Sequence, residues 1–508
     1  MPEYLEERRE AWGSRAGFVL AAVGSAVGLG NIWRFSYMAY TNGGGAFLIP
    51  YIIAMITVGI PLLIMEFSLG HFTQLAAPGA FKEISRKTEF VGWWPILLSF
   101  IIVCYYSVVL AWCLNYFIFS FKGTVPWDGD AKHFFFVNYL GFNETYKLGG
   151  VQVPIVLSLA MVWVGMYFSI FRGVKWIGKI VLWAVPLPLF MLFILMVRGL
   201  TLDGAMQGLE YYLEPDWSAL KNVIVWRHAF GQVFFSMTVA FGVMITYASF
   251  LHRQSDINNN ALVVGIADLA VSFIAGIAVF TTMGALALKQ NIPVQDVLSE
   301  SQGPGLAFVA FPEALSHLPA TQFFSVVFFT ALVLLGINSA FSITESVLAS
   351  ICDKSGWARS LVLPAMSLVG FGLGIIFTTE GGLSWLDTVD SFVNGTWGIV
   401  LVGLVECLVI GWLYDVHLLR RHANSRSDWK IGLWWEKMIK FVVPAVLGTL
   451  FVWSLYDDFT RKEGFLVDNN GEVMWPNVVG LGLMALAFVA AVTLNKVGKV
   501  DYAKMGEQ

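Results

Sequence analysis

Gly24-Ser-Ala-Val-Gly-Leu-Gly-Asn-Ile-Trp-Arg34 places three glycines, an asparagine and an arginine inside an apolar stretch that runs from about Gly17 to Tyr40. The stretch is long enough to cross a bilayer, yet its middle is a poor helix, because each interior glycine costs about 1 kcal/mol relative to alanine. Backbone released from its ladder is tolerated at membrane depth only where it lines a cavity enclosed by protein. A break here predicts a binding site inside a helical bundle.

The rest of the chain supplies that bundle. Its 508 residues are 57% hydrophobic and 13% charged, with a mean hydropathy of +0.69, which marks an all-α integral membrane protein. Apolar runs recur near 15–40, 46–70, 91–120, 152–171, 174–198, 225–251, 260–287, 322–352, 360–378, 388–414, 434–455 and 475–495, and predict twelve transmembrane helices. Clusters of cations alternate between loops: Arg8, Arg9 and Arg15; Lys82, Arg86 and Lys87; Arg172, Lys175 and Lys179; Lys354 and Arg359; Arg420, Arg421, Arg426 and Lys430; Lys496, Lys499 and Lys504. All fall on one side, so both termini are expected in the cytoplasm of a multi-pass protein of the inner (plasma) membrane. The formal net charge of −4 says little about partners. The four cysteines have no metal-binding spacing and predict no disulfide. Trp93, Trp94, Trp112, Trp434 and Trp435 read as an interfacial belt, and His228 and His252 as loop residues.

A second interrupted span lies at Gly231-Gln-Val-Phe-Phe-Ser-Met-Thr-Val-Ala-Phe-Gly242, where Gln232, Ser236 and Thr238 share an apolar helix with two glycines. It is the sixth span, five after the first. Interrupted segments at corresponding places in two halves point to an inverted-repeat transporter. The expected organisation is a single transmembrane unit over 1–508. It divides into a first repeat over about 10–200 (helices 1–5), a second over about 224–414 (helices 6–10) and two extra helices over about 432–496.

These segments resemble the neurotransmitter:sodium symporters of prokaryotic type, and the likeness extends over nearly the whole chain. It includes Gly24 to Arg34, Asn42-Gly-Gly-Gly-Ala-Phe-Leu-Ile-Pro-Tyr51, the Tyr105-Tyr106 pair, Gly231 to Tyr247, Gly303-Pro-Gly-Leu-Ala-Phe-Val-Ala-Phe-Pro312 and Gly336-Ile-Asn-Ser339. The resemblance implies the leucine-transporter fold, with helices 1 and 6 broken, and two sodium sites. The first would draw on Ala26, Asn31, Ser236, Asp268 and the substrate carboxylate; the second on Gly24, Val27, Leu335, Asn338 and Ser339. It implies a substrate pocket of Ser25, Ala26, Leu29, Gly30, Ile102, Tyr106, Phe235, Ser236, Thr238, Phe241, Ser339 and Ile343. Arg34 and Asp390 would form an outer gate with Phe241 and Tyr106, and Arg9 and Asp353 an inner gate plugged by Trp12. Glu66 and Glu345 would hold unwound backbone amides.

Two departures from the family pattern sharpen the expectation. Asp268 stands where the family more often has asparagine, beside Tyr51, Gln232, Ser236 and Ser272, the residues that match an anion site in animal members. A fixed carboxylate there offsets two sodium ions and predicts chloride-independent transport; freed of sodium, it can take up a proton, which would add proton antiport. The rival is a protonated Asp268 beside a chloride site kept by Ser272. Ser25 occupies the position of the aspartate that binds the ammonium in amine transporters, so the substrate is expected to bring its own carboxylate and to be a neutral amino acid. The alternatives are a small amine, a β- or γ-amino acid or taurine, or a sensor that binds without transporting. No nucleophile and base pair is present, so the chain is read as a non-enzyme whose partners are sodium, a small amino acid and the lipid bilayer, with no nucleic acid. The oligomeric state stays open.

Overall fold

Two interruptions of the helical ladder organise the computed structural model, which describes residues 10–142, 146–299, 303–460, 464–467 and 471–497. Helix α1 (Arg15–Ala26) passes after two extended residues into α2 (Leu29–Thr41), with a bend of 43° between them. A long rod, α3 (Gly45–Thr73), leads to the short, largely buried helix α4 (Ala77–Ile84) and then to the central α5 (Glu89–Phe119). Spans α6 (Val153–Ile170) and α7 (Val174–Leu200) follow, with α8 (Ala205–Leu213) outside them. The second interruption separates α9 (Val223–Met237) from α10 (Val243–Ser249). The chain continues through α11 (Asn258–Gln290), the short apolar α12 (Leu306–Ser316), α13 (Thr321–Ser355), α14 (Arg359–Thr378) and α15 (Gly382–Leu413). A surface helix, α16 (Val416–Arg426), precedes the last two spans, α17 (Leu433–Thr460) and α18 (Trp475–Lys496).

Each of the twelve expected spans falls on one of these rods or broken pairs, and no β-strand is present among the described residues. Local chemistry sets the ends. Ser14 and Asn222 accept the amides of Gly17 and Ile224 and cap α1 and α9. Gln74, Asn291 and Gly356 close α3, α11 and α13 in the left-handed conformation.

The bundle is centred on α5 and α13, whose most apolar windows are 78% and 72% buried; in α17 and α18 the figures are 17% and 22%, so those two lie at the periphery. Burial overturns the tryptophan reading for four of the five residues. Trp93, Trp94, Trp112 and Trp435 are buried, Trp112 edge-on to Phe135 and Phe308, and Trp435 donating to the carbonyl of Pro61. Trp434 is exposed, as are Trp183, Trp412 and Trp475. His228 lies on α9 rather than in a loop and hydrogen-bonds Asn42, whereas His252 does follow α10 in a loop. Cys104, Cys113 and Cys407 are buried free thiols. Arg8, Arg9, Lys499 and Lys504 lie outside the described residues.

Backbone approaches between rods are close enough to require glycine. A Cβ on Gly70 of α3 would sit 1.9 Å from the carbonyl oxygen of Ile245 on α10, whereas one on Gly448 of α17 would meet nothing within 4 Å. Overpacking of this kind typically costs about 1–3 kcal/mol. Gly70→Ala is therefore expected to lower the thermal midpoint of the purified protein in detergent by several degrees, and Gly448→Ala to leave it unchanged, as followed by fluorescence-detected size exclusion.

Candidate functional site

The two breaks meet at mid-bundle. Val27 and Gly28 leave the helical region (φ −84°, ψ 94° and φ −124°, ψ −164°), which releases carbonyls of α1 and amides of α2 from their ladders. Space selects glycine here: a Cβ on Gly28 would lie 2.7 Å from Ser339 Oγ, and one on Gly30 would lie 2.1 Å from the Phe235 ring. On the other segment Thr238, Ala240 and Gly242 all have positive φ (54°, 64° and 72°), so the chain turns too tightly to continue α9. Side chains from the surrounding rods answer the released groups. Thr238 Oγ1 donates to the Ser25 carbonyl (2.9 Å), Ser99 Oγ to that of Phe241 (2.9 Å) and Ser346 Oγ to that of Gly242 (3.1 Å), while Glu66 Oε1 accepts from Ala240 N (2.6 Å). Glu66 thus holds unwound backbone, as its sequence position suggested. Glu345 pairs with Arg359 of α14, a charged partner that the sequence reading did not name.

Between the breaks lies a cavity of about 230 Å³. All twelve residues expected to form a substrate pocket line it. Its walls at Ile102, Val109, Phe241 and Ile343 are apolar. The Tyr106 hydroxyl is within hydrogen-bonding reach of the Ser339 hydroxyl and the Leu29 backbone. Ser25 carries no charge into the cavity; its hydroxyl pairs with that of Ser342 at 2.7 Å.

At one end the cavity rises past Arg34 and Asp390, but these two are not joined as an ion pair. Asp390 Oδ1 accepts from Tyr105 (2.8 Å) and Asn394 (2.7 Å). The Arg34 guanidinium stands 4.3 Å over the Phe235 ring, with Nη1 unpartnered. The expected closure across Arg34 and Asp390 is therefore absent from this conformation, since each charge has another neighbour. Tyr105, Asn394 and Asp387 also line this end; Tyr105 was named only within its tyrosine pair, and the sequence reading gave none of the three a role at this end. The i, i+4 spacing of Asp390 and Asn394 was the available signal.

The opposite end is closed. Trp12 is 1% exposed, and its backbone and indole nitrogens donate to Phe250 O (3.0 Å) and Tyr247 O (2.9 Å). Asp353 Oδ2 accepts from Ala76 N at 2.9 Å. Its expected partner Arg9 lies outside the described residues.

Beside the cavity two polar clusters sit at the breaks. In the first, the fully buried Asp268 accepts from Asn31 Nδ2 (2.7 Å), Ser236 Oγ (2.9 Å) and Tyr51 OH (3.3 Å), and Asn31 also donates to Ser272 (2.8 Å). Asn31 Oδ1 accepts from Gly28 N, which fixes the orientation of the amide. Gln232 donates to Gly30 O (3.4 Å), and its own Oε1 is buried without a partner. In the second, Ser339 Oγ approaches the carbonyls of Ser25 (3.2 Å) and Gly24 (3.4 Å). Asn338 donates to Ala184 O (2.9 Å) but leaves Oδ1 buried and unpaired. Val27 and Leu335 are buried alongside. A hard monovalent cation suits both clusters, because each gathers oxygen acceptors that protein donors do not fully satisfy.

Comparison with known proteins agrees with this geometry. Residues 9–138 and 129–500 match the sodium:neurotransmitter symporter family. The chain is 42% identical over 500 residues to an uncharacterized sodium-dependent transporter of Methanocaldococcus jannaschii, covering 97% of this chain and 98% of that one. It is 30% identical to the sodium- and chloride-dependent glycine transporter 1 of Xenopus laevis (97% and 84% covered). Identity to the sodium- and chloride-dependent GABA transporter 2 of Rattus norvegicus is 32% (96% and 86%). The breaks, the cavity between them and these matches lead to one assignment: the chain is a multi-pass membrane protein belonging to the sodium:neurotransmitter symporter family, a family of carriers and not of enzymes.

Proposed function

We propose that this symporter carries a neutral α-amino acid into the cell with two sodium ions by alternating access, and that it does so without chloride. The observation that carries the reading is Asp268: a buried carboxylate with three hydrogen-bond donors and no cationic side chain bonded to it among the described residues. An uncompensated negative charge at that depth is costly unless a mobile cation neutralises it. Sodium at Ala26, Asn31, Ser236 and Asp268 performs that role, and the fixed carboxylate replaces the anion required by relatives named for chloride. The second sodium sits at Gly24, Val27, Leu335, Asn338 and Ser339. Proton uptake by Asp268 after sodium leaves would add antiport to the return step.

The half-helix ends orient the substrate. The amino-terminal end of α2 and the Tyr106 hydroxyl offer donors for a carboxylate, and the carbonyls ending α9 near Phe235 and Thr238 suit an ammonium group. A serine at position 25 supports a zwitterion over a simple amine. The apolar remainder of a cavity of about 230 Å³ suits a small or medium side chain. The cavity end at Arg34 and Asp390 is taken as the external face and the Trp12 end as the cytoplasmic one. The two five-helix sets, about 10–200 and about 224–414, act as inverted repeats rocking around the site.

The direct test is uptake of labelled alanine, leucine, tryptophan, glycine and GABA into proteoliposomes under an inward sodium gradient, in chloride and in gluconate. Accumulation of an α-amino acid, equal in the two anions, is the expected result. Binding without accumulation would replace the symporter by a sensor, and accumulation of GABA alone would move the substrate class. Asp268→Asn removes the fixed charge. Its uptake in gluconate is expected to fall at least about tenfold, a loss of roughly 1.4 kcal/mol in the free energy of coupling, and to recover in part with chloride. Full activity of that variant in gluconate would disprove the compensating role. Asn338→Ala is expected to raise the sodium concentration for half-maximal uptake about tenfold, as measured from the sodium dependence of initial rates.

A further inference from the structure

A chain of imidazoles ties the surface helix α16 to the Trp12 plug. His71, fully buried at the end of α3, places Nδ1 2.8 Å from His422 Nε2 on α16 and Nε2 2.9 Å from the carbonyl of His252. His252 Nε2 in turn lies 2.9 Å from the carbonyl of Trp12. The same segment is clamped by Gln74, whose amide donates to Leu251 O (3.2 Å) and His71 O (3.0 Å). Carbonyls only accept, so both Nε2 atoms facing them carry protons. His71 Nδ1 is then the acceptor in the neutral ring, and His422 Nε2 is the donor. One added proton still leaves a single bond between the rings, donated by either of them. A second cannot be housed, because two N–H groups would face each other across 2.8 Å.

We infer that His71 and His422 are positioning residues for the cytoplasmic gate: as a neutral pair they hold the 250–252 segment under Trp12, and release of Trp12 is accompanied by proton uptake on the pair. The inference rests on the transport cycle proposed above. Several features oppose protonation in the closed form. His71 is sealed between α3, α16 and the loop after α10; the ring of Phe72 stands edge-on to His422 at 5.1 Å; and the cations facing the pair are Arg253 from that loop and Arg426 from α16. On α16, outside the spans, burial together with His71, Arg426 and Arg253 pulls His422 down to about 3. The sign follows. A histidine held neutral below its ordinary pKa stabilises the closed form at neutral pH, and that contribution is lost as pH falls through the ordinary value near 6.5. One proton gained on opening shifts the open-to-closed ratio about tenfold between about pH 7.5 and about pH 5.5.

Hydrogen–deuterium exchange of the full chain in nanodiscs, with sodium and no substrate, reads this directly in peptides covering 10–18 and 246–252. After correction for intrinsic rates, the wild type is expected to exchange about tenfold faster at about pH 5.5 than at about pH 7.5. His71→Gln and His422→Gln should each exchange faster at the higher pH and lose most of the pH dependence. The partly buried His422 provides the second variant should the His71 variant fail to fold. Pairing that is merely structural would raise exchange in the variants and leave the wild-type pH profile flat, which would overturn the inference, as would two variants with the wild-type profile. Because exchange needs no substrate, failure of amino-acid uptake would count against the transport reading and not against this one.

Discussion

An unpaired peptide group in the interior of a membrane bundle costs several kcal/mol. The two breaks release a handful of such groups at one depth. The structure answers them one at a time with buried side chains: Thr238 for the Ser25 carbonyl, Asn31 for the Gly28 amide, Glu66 for the Ala240 amide, and Ser99 and Ser346 for the carbonyls of Phe241 and Gly242. These side chains come from α2, α3, α5, α13 and the α9–α10 break itself, so the breaks bind together rods that are distant in sequence. What the side chains leave unsatisfied is as informative. Asn338 Oδ1 and Gln232 Oε1 are buried without donors, and both flank broken backbone. A mobile cation or a polar ligand meets such groups only while it is bound, which supports the binding site proposed above.

Much of this was legible in the sequence, and the reason is physical. Glycines at 24, 28 and 30 within an apolar run contradict helix propensity, and an arginine at 34 contradicts membrane solubility, so local rules fail together where the function lies. The length of the apolar runs is dictated by the bilayer, and the twelve segments fall accordingly. What stayed illegible depended on packing in three dimensions. Trp93 and Trp112 have the composition of an interfacial belt, but α5 runs through the centre of the bundle and buries them. The ion pair of Glu345 with Arg359, fourteen positions later, likewise depends on how α13 and α14 pack.

The pair Arg34 and Asp390 shows why matching residues does not fix a conformation. Either charge has two ways of being satisfied: each other, or the neighbours seen here, Phe235 for the arginine and Tyr105 with Asn394 for the aspartate. Partly exposed ion pairs are worth little, about 1 kcal/mol or less, so the two arrangements lie close in energy. A sequence records the availability of both and the preference for neither.

The asymmetry between the two ends follows from the same balance. At the Arg34 end the charges are held apart and the cavity opens beyond them. At the other, Trp12 is pinned by backbone bonds to Phe250 and Tyr247 and braced by the bonds of His252 and His71. Opening that end breaks several hydrogen bonds at once and exposes a large aromatic ring, whereas closing the Arg34 end exchanges one set of weak contacts for another. In the cycle proposed above, a substrate between the breaks meets residues of α2, α5 and α9, which border the Arg34 end. Release toward the Trp12 end then requires something that weakens the plug itself; in the cycle proposed above, a cation leaving the cluster between Gly24 of α1 and Asn338 of α13 would act on the helix that Trp12 precedes by three residues.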